Sequence, residues 1–188
     1  MSTETRGPAP RFTVLSRILH WTMAVLTIAQ LLIGVTMVAS LAYYPLLLAI
    51  HRPLGTAILV LAVIRLINRL THRPPPFPAS MGPVERRVAT LSEYLMYTLL
   101  LVQPVVGWAM LSAAHNPIRI VGPVDLPGIA PRNITTYAIL HAAHTVLAAL
   151  LFLAFTAHAC AILFHTFVLR DRILDRMAFW PRSRRNES

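Results

Sequence analysis

The sequence predicts an all-α membrane protein, a bundle of four transmembrane helices with both termini in the cytoplasm. Three observations carry this expectation: four long apolar runs, a scarcity of charge, and a one-sided distribution of arginine. Of the 188 residues, 56% are hydrophobic and only 13% are charged, whereas a soluble domain carries about 25%.

Residues 1–12 are polar, contain Pro8 and Pro10, and read as a cytoplasmic tail. The transmembrane domain is expected over 13–170, with spans at 14–41, 46–70, 91–112 and 137–169. Each offers the roughly 20 apolar residues that cross a bilayer. Arg17 stands at the mouth of the first span, where it is expected to reach the lipid head groups. Tyr43 and Tyr44 read as interfacial aromatics at its far end. A turn around Pro45 leads into the second span, with Pro53 expected in about its first turn, where helices accept proline.

The stretch THRPPPFPASMGPVERR, Thr71 to Arg87, holds five prolines and is expected to be a semi-rigid connector without regular helix. The third span contains QPVVGW, and a kink is expected at Pro104. A loop rich in Pro and Gly follows over 113–135, then the fourth span, then an Arg-rich tail over 171–188. Cys160, the only cysteine, forms no intramolecular disulfide and reads as a small core residue.

All 17 basic residues are arginine. Arg6, Arg11, Arg17, Arg65, Arg69, Arg73, Arg86, Arg87, Arg170, Arg172, Arg176, Arg182, Arg184 and Arg185 fall on one side of four spans, and Arg52, Arg119 and Arg132 on the other. Positive charge marks the cytoplasmic side, so both termini are placed there. The charge flanks apolar runs, which points to topology and anionic lipid rather than nucleic acid.

Four histidines then fall into two pairs. His144 and His158 lie 14 residues apart on the fourth span, which is roughly 21 Å along a helix. At about 100° per residue they lie within roughly 40° of one another. The direction of each span puts His20 at the inner depth with His158, and His51 at the outer depth with His144. Ionisable residues inside a bilayer are costly and mark function. Two imidazoles on facing helices are the usual way a bundle grips a b-type haem. The pairs are therefore expected to hold two haems, His51 and His144 the outer, His20 and His158 the inner.

Two simpler uses of these residues are weighed against that. A helix–helix hydrogen bond would explain a single membrane histidine, and two histidines without a nearby thiolate or carboxylate make an incomplete zinc or copper site. His165, seven residues past His158 on nearly the same face, is expected at a haem propionate, a quinone or the head-group layer. His141 is expected at the interface, and His72 and His115 in loops. No carboxylate is expected within a span, which leaves no Asp or Glu proton relay. No GxSxG, HExxH, Walker A or GxGxxG motif occurs.

The stretches RILHW around His20, AIHRPLG around His51, QPVVGW, HNPIRIVG and HTVLAALLFLAFTAHACAILFH, taken in order over about residues 11–178, resemble the bacterial cytochrome b561 family. The resemblance implies a multi-pass di-haem b protein of the bacterial inner membrane that passes electrons to the quinone pool. It further implies a superoxide:quinone oxidoreductase, with superoxide oxidised at the outer haem and ubiquinone reduced beside His20, His158 and His165. Outer cations in the family often include Lys. This chain has none, leaving Arg52, Arg119 and Arg132 to attract superoxide, Arg52 foremost because it adjoins His51.

Two other readings stay open at this point. One is a cytochrome b subunit that links a periplasmic dehydrogenase, of the hydrogenase or formate dehydrogenase type, to the quinone pool through the outer loop 113–135. The other is a haem-free small transporter or assembly factor.

Overall fold

In hydrocarbon a backbone finds no water to bond, so an apolar run satisfies its N–H and C=O groups within a helix. The computed structural model describes residues 11–78, 81–116, 118–121, 124–171 and 173–180. It has four long helices: α1 Val14–Ala39, α2 Tyr44–Thr71, α3 Pro83–Ala113 and α4 Ile134–Phe164. All four are long and apolar enough to cross a membrane. Large apolar side chains such as Val25, Leu32, Val35, Ile139 and Leu153 stand exposed along them, as lipid-facing surfaces require. The expectations for residues 1–10, Arg172, Arg182, Arg184 and Arg185 lie outside the described residues.

Local chemistry sets the helix ends. Thr13 caps α1 by accepting from the Ser16 amide, and Asn133 caps α4 by accepting from Thr135 and Thr136. Two expected boundaries move. Pro45 stands in the first turn of α2 rather than in a preceding turn, and Pro53 lies well inside that helix. The first turn leaves amides free of intrahelical partners, so it is Pro45 that fits there. The connector of prolines also ends earlier than expected. Pro83 opens α3, and the Glu85 side chain accepts from the Gly82 amide, so residues 83–90 are helical despite the prolines before them. α3 continues through Pro104.

A further expectation is corrected. Glu93, already within the expected third span of 91–112, lies inside a helix apolar enough to cross a membrane, although no carboxylate is expected in a span. It is kept there by a fork of two bonds from Arg69 on α2, Nε to Oε1 at 2.5 Å and a second nitrogen to Oε2 at 3.1 Å. Bidentate pairing of this kind is what lets a charge sit at apolar depth. Cys160 is exposed rather than in the core. It lies on the outward side of α4, where a small apolar side chain meets lipid without cost.

The 113–135 loop contains a small antiparallel hairpin, β1 Arg119–Val121 with β2 Val124–Asp125. The Trp108 indole donates to Pro127 O and the Ser112 hydroxyl accepts from the Ile129 amide, which fasten the loop to α3. At the other end α4 widens into a π-turn, η1 His165–Leu169, closed by Arg170 in the left-handed region. A 3₁₀ turn, η2 Ile173–Arg176, begins a segment that folds back over α1. Phe12 donates its amide to Arg176 O, the Trp21 indole donates to Met177 O, and Arg17 donates to Ala178 O at 2.9 Å. The Arg17 guanidinium also lies over the Phe179 ring. Arg17 is thus spent on the chain's own C-terminal segment and not on lipid head groups.

The helices pack as two hairpins. α1 runs along α2 and α3 along α4, α2 joins the two, and no extended contact joins α4 to α1 or to α2. The core is one cluster around Met23, Ile58, Ala62, Leu99, Leu100 and Leu151. Ala62 has no exposed surface at all, so Ala62→Leu adds volume where none is free. We expect it to cost about 1–3 kcal/mol through overpacking, read as a lower unfolding midpoint of the detergent-solubilised protein, with Val60→Leu on the exposed face leaving the midpoint unchanged.

Candidate functional site

The gap between the hairpins is bridged by imidazoles. His20 on α1 faces His158 on α4 with ring centres 6.4 Å apart, and His51 on α2 faces His144 on α4 at 6.3 Å. The two sets lie toward opposite ends of the bundle, with His20 and His158 at the end that carries α1's start and α4's end. The rings do not bond to each other. Nδ1 of His20, His51 and His144 is sealed from solvent without a partner. An unmet buried polar atom costs about 1–3 kcal/mol, so three of them beside the facing rings mark these positions as costly to the fold.

A haem fits what the gap offers. A metal–imidazole nitrogen bond is about 2.0–2.1 Å and the nitrogen lies about 1.1 Å from its ring centre, so two rings on opposite sides of one metal stand about 6.3 Å apart. Both observed spacings agree with that value. The backbone of α4 stays away from that of α1 and α2 except through the core around Met23, Ile58, Ala62 and Leu151, which leaves the two histidine sets on either side of that core. Among the described residues no three of His, Cys, Asp and Glu converge, so a four-coordinate structural zinc finds too few ligands.

His51 and His144 have neighbours that the sequence does not signal. Gln30 on α1 donates to His51 O at 3.1 Å, and Gln103 on α3 donates to His144 O at 3.1 Å. Each of these two histidines is thus steadied through its backbone by a glutamine from the adjacent helix. The Gln103 amide also lies 3.3 Å from His144 Nε2. A metal at that nitrogen would displace this one contact while the carbonyl bond still held the amide. Gly34 and Gly107 make room for the rings. A Cβ at Gly34 would lie 3.8 Å from His51 Cε1, and one at Gly107 only 2.9 Å from His144 Cε1.

Arg65 was read only as a topological charge. It lies within electrostatic reach of both His20 and His158, and its guanidinium covers the Tyr97 ring at 5.6 Å. His165 is engaged elsewhere, its Nδ1 paired with Asp171 Oδ2. The π-turn and the left-handed Arg170 bring that carboxylate back over the ring. Arg52 donates to Asn116 Oδ1 at 3.2 Å beside the outer pair. Arg119 is far more exposed and leans on Asp125 at 3.5 Å, and Arg132 is exposed. His141 is exposed beside Tyr137. His72 caps α2, and His115 follows α3 with positive φ.

The glycine contacts separate cleanly. Gly107→Ala is expected to push the His144 ring and lower the haem retained per chain, measured by pyridine haemochrome, whereas Gly34→Ala, with ordinary contact distance, leaves it unchanged.

Comparison with known proteins agrees with this geometry. The family model described as prokaryotic cytochrome b561 matches residues 11–180. The protein named probable superoxide oxidase CybB from Yersinia pestis is 30% identical over 160 residues, which cover 85% of this chain and 90% of the relative. Cytochrome b561 homolog 2 of Escherichia coli strain K12 is 28% identical over 175 residues, 89% of this chain and 90% of the relative. Cytochrome b562 of Cereibacter sphaeroides is 27% identical over 180 residues, 89% of this chain and 95% of the relative. With nearly its whole described length matched, the chain belongs to the prokaryotic cytochrome b561 family of haem b electron-transfer proteins in the bacterial inner membrane.

Proposed function

We propose that the protein oxidises superoxide on the periplasmic side and reduces ubiquinone toward the cytoplasmic side. Two superoxide anions yield two dioxygen molecules and two electrons; one ubiquinone takes those electrons with two protons to become the quinol. The observation that supports this best is the pair of facing histidine sets at opposite ends of one gap. His51 with His144, and His20 with His158, would each hold one haem b. A haem iron gripped by two imidazoles accepts and releases one electron at a time without opening a site for another ligand.

The side chains divide the remaining work. Arg52 presents a guanidinium beside the outer pair, fixed by Asn116, and a cation at a narrow mouth raises the encounter rate of a small anion. Arg119 and Arg132 add to the field from farther out. Gln30 and Gln103 fix the outer histidines against rotation of their helices. The apolar walls exclude water from the gap. The preponderance of arginine at the end that carries the chain termini supports placing that end in the cytoplasm. The similarity to the probable superoxide oxidase of Yersinia pestis favours superoxide over a docked dehydrogenase as electron source.

The test is stopped-flow mixing of purified protein with superoxide. A reduced-minus-oxidised spectrum is expected to show about two haems b per chain, as two bis-histidine sets require. Haem reduction is expected to be fast and to slow with added salt, and Arg52→Ala to slow it about tenfold with a flatter salt dependence. Slow reduction that is indifferent to salt and to Arg52→Ala overturns the superoxide reading. A colourless folded protein overturns the haem assignment as well.

A further inference from the structure

The Arg69–Glu93 pair forms one side of a cavity of about 290 Å³ between α2 and α3, in the half of the bundle nearer the termini. Leu66, Tyr94, Tyr97 and Thr98 line it as well. Tyr94 and Thr98 are exposed on the outer surface of the bundle, so the cavity opens toward the acyl chains rather than toward water. The two side chains are 33% and 34% exposed and Arg69 lies two residues from the end of α2, so the pair is accessible to a ligand in the cavity. Both carboxylate oxygens of Glu93 are taken by Arg69 through two of its five N–H donors, which leaves three to donate elsewhere.

From these residues we infer that this cavity is the quinone head-group site, which rests on the electron-transfer reading above. A quinone carries carbonyl acceptors on a flat ring and an apolar tail. The cavity meets each part: guanidinium and hydroxyl donors for the carbonyls, two tyrosine rings for the ring faces, leucines and a lipid-side opening for the tail. Arg69 stabilises the negative charge that builds on the quinone oxygen after the first electron. The second electron and two protons from water at that end of the bundle complete the quinol.

The cavity is also connected to the inner histidine pair. Tyr97 lines it, Arg65 covers the Tyr97 ring at 5.6 Å, and Arg65 lies within reach of His20 and His158. Neither rival location has this combination. His165 already spends Nδ1 on Asp171. The second cavity, about 210 Å³, is lined by Arg11, Phe12, Arg69, His72 and Arg73 with Pro74 and Pro75, so it gathers more cations and offers no tyrosine ring.

Photolabelling tests this. The full-length haem-loaded protein in nanodiscs is irradiated with an azido-ubiquinone, and labelled peptides are mapped by mass spectrometry, with decylubiquinone as competitor. Label is expected within residues 66–70 and 93–101, removed by the competitor. Thr98→Trp and Leu70→Trp, both at exposed lip positions, are expected to reduce labelling and raise the KM for decylubiquinone about tenfold each, with haem content and reduction by superoxide unchanged. Competed label within 158–171 together with normal quinol formation overturns the cavity assignment alone. Label in the cavity without quinol formation supports the cavity and overturns ubiquinone reduction. Absence of both overturns both.

Discussion

The structure depends on one constraint: in a bilayer, a buried polar atom has no water to turn to. The four facing histidines bring ring nitrogens into an apolar gap, and three of those nitrogens find no protein partner. Helix packing that closed the gap would strand them. The α1–α2 hairpin instead meets α4 through the core around Met23, Ile58, Ala62 and Leu151, and at either end the facing rings stand 6.4 and 6.3 Å apart. Everything else around the site supports that separation. Glutamines tether the backbone of the outer histidines, and a glycine clears the edge of the His144 ring.

Function follows from where the separation is kept. α4 contributes one histidine to each set, so both sets share a wall and a fixed spacing, set by the roughly 1.5 Å rise of a helix over 14 residues. The partners come from different helices, His20 from α1 and His51 from α2. A one-electron carrier needs no catalytic base, and none of the four side chains is asked to act as one. On the proposed reading, charge selectivity falls to the loop end, where Arg52 donates to Asn116, and quinone chemistry to the opposite half, where Arg65, Arg69 and Glu93 gather.

Much of this was legible in the sequence because membrane helices obey few rules. Span number followed from apolar length, and the histidine pairs from helical rise once each span had a direction. What escaped was polar chemistry that depends on partners. Glu93 sits in plain view within an apolar run, yet only the Arg69 fork explains how it is accommodated. Gln30 and Gln103 carry no charge, and although Gln103 opens the QPVVGW stretch nothing there tied it to a histidine before α1 and α3 were seen beside His51 and His144. The proline-rich connector misled for the opposite reason. Pro83 is a strong signal against helix everywhere except at a helix's first position, and position is a property of the fold.

The fold-back at the chain's end has a consequence for how this protein tolerates change. Among the described residues, backbone carbonyls of Arg176, Met177, Ala178 and Trp180 accept from the Phe12 amide and from the side chains of Arg11, Arg17 and Trp21. Carbonyls are the same whatever side chain they carry, so these bonds tolerate a change of residue in the fold-back. Its side chains are constrained for other reasons: Ala178 is buried, Arg176 is buried and donates to Pro76 O, and the Phe179 ring lies under Arg17.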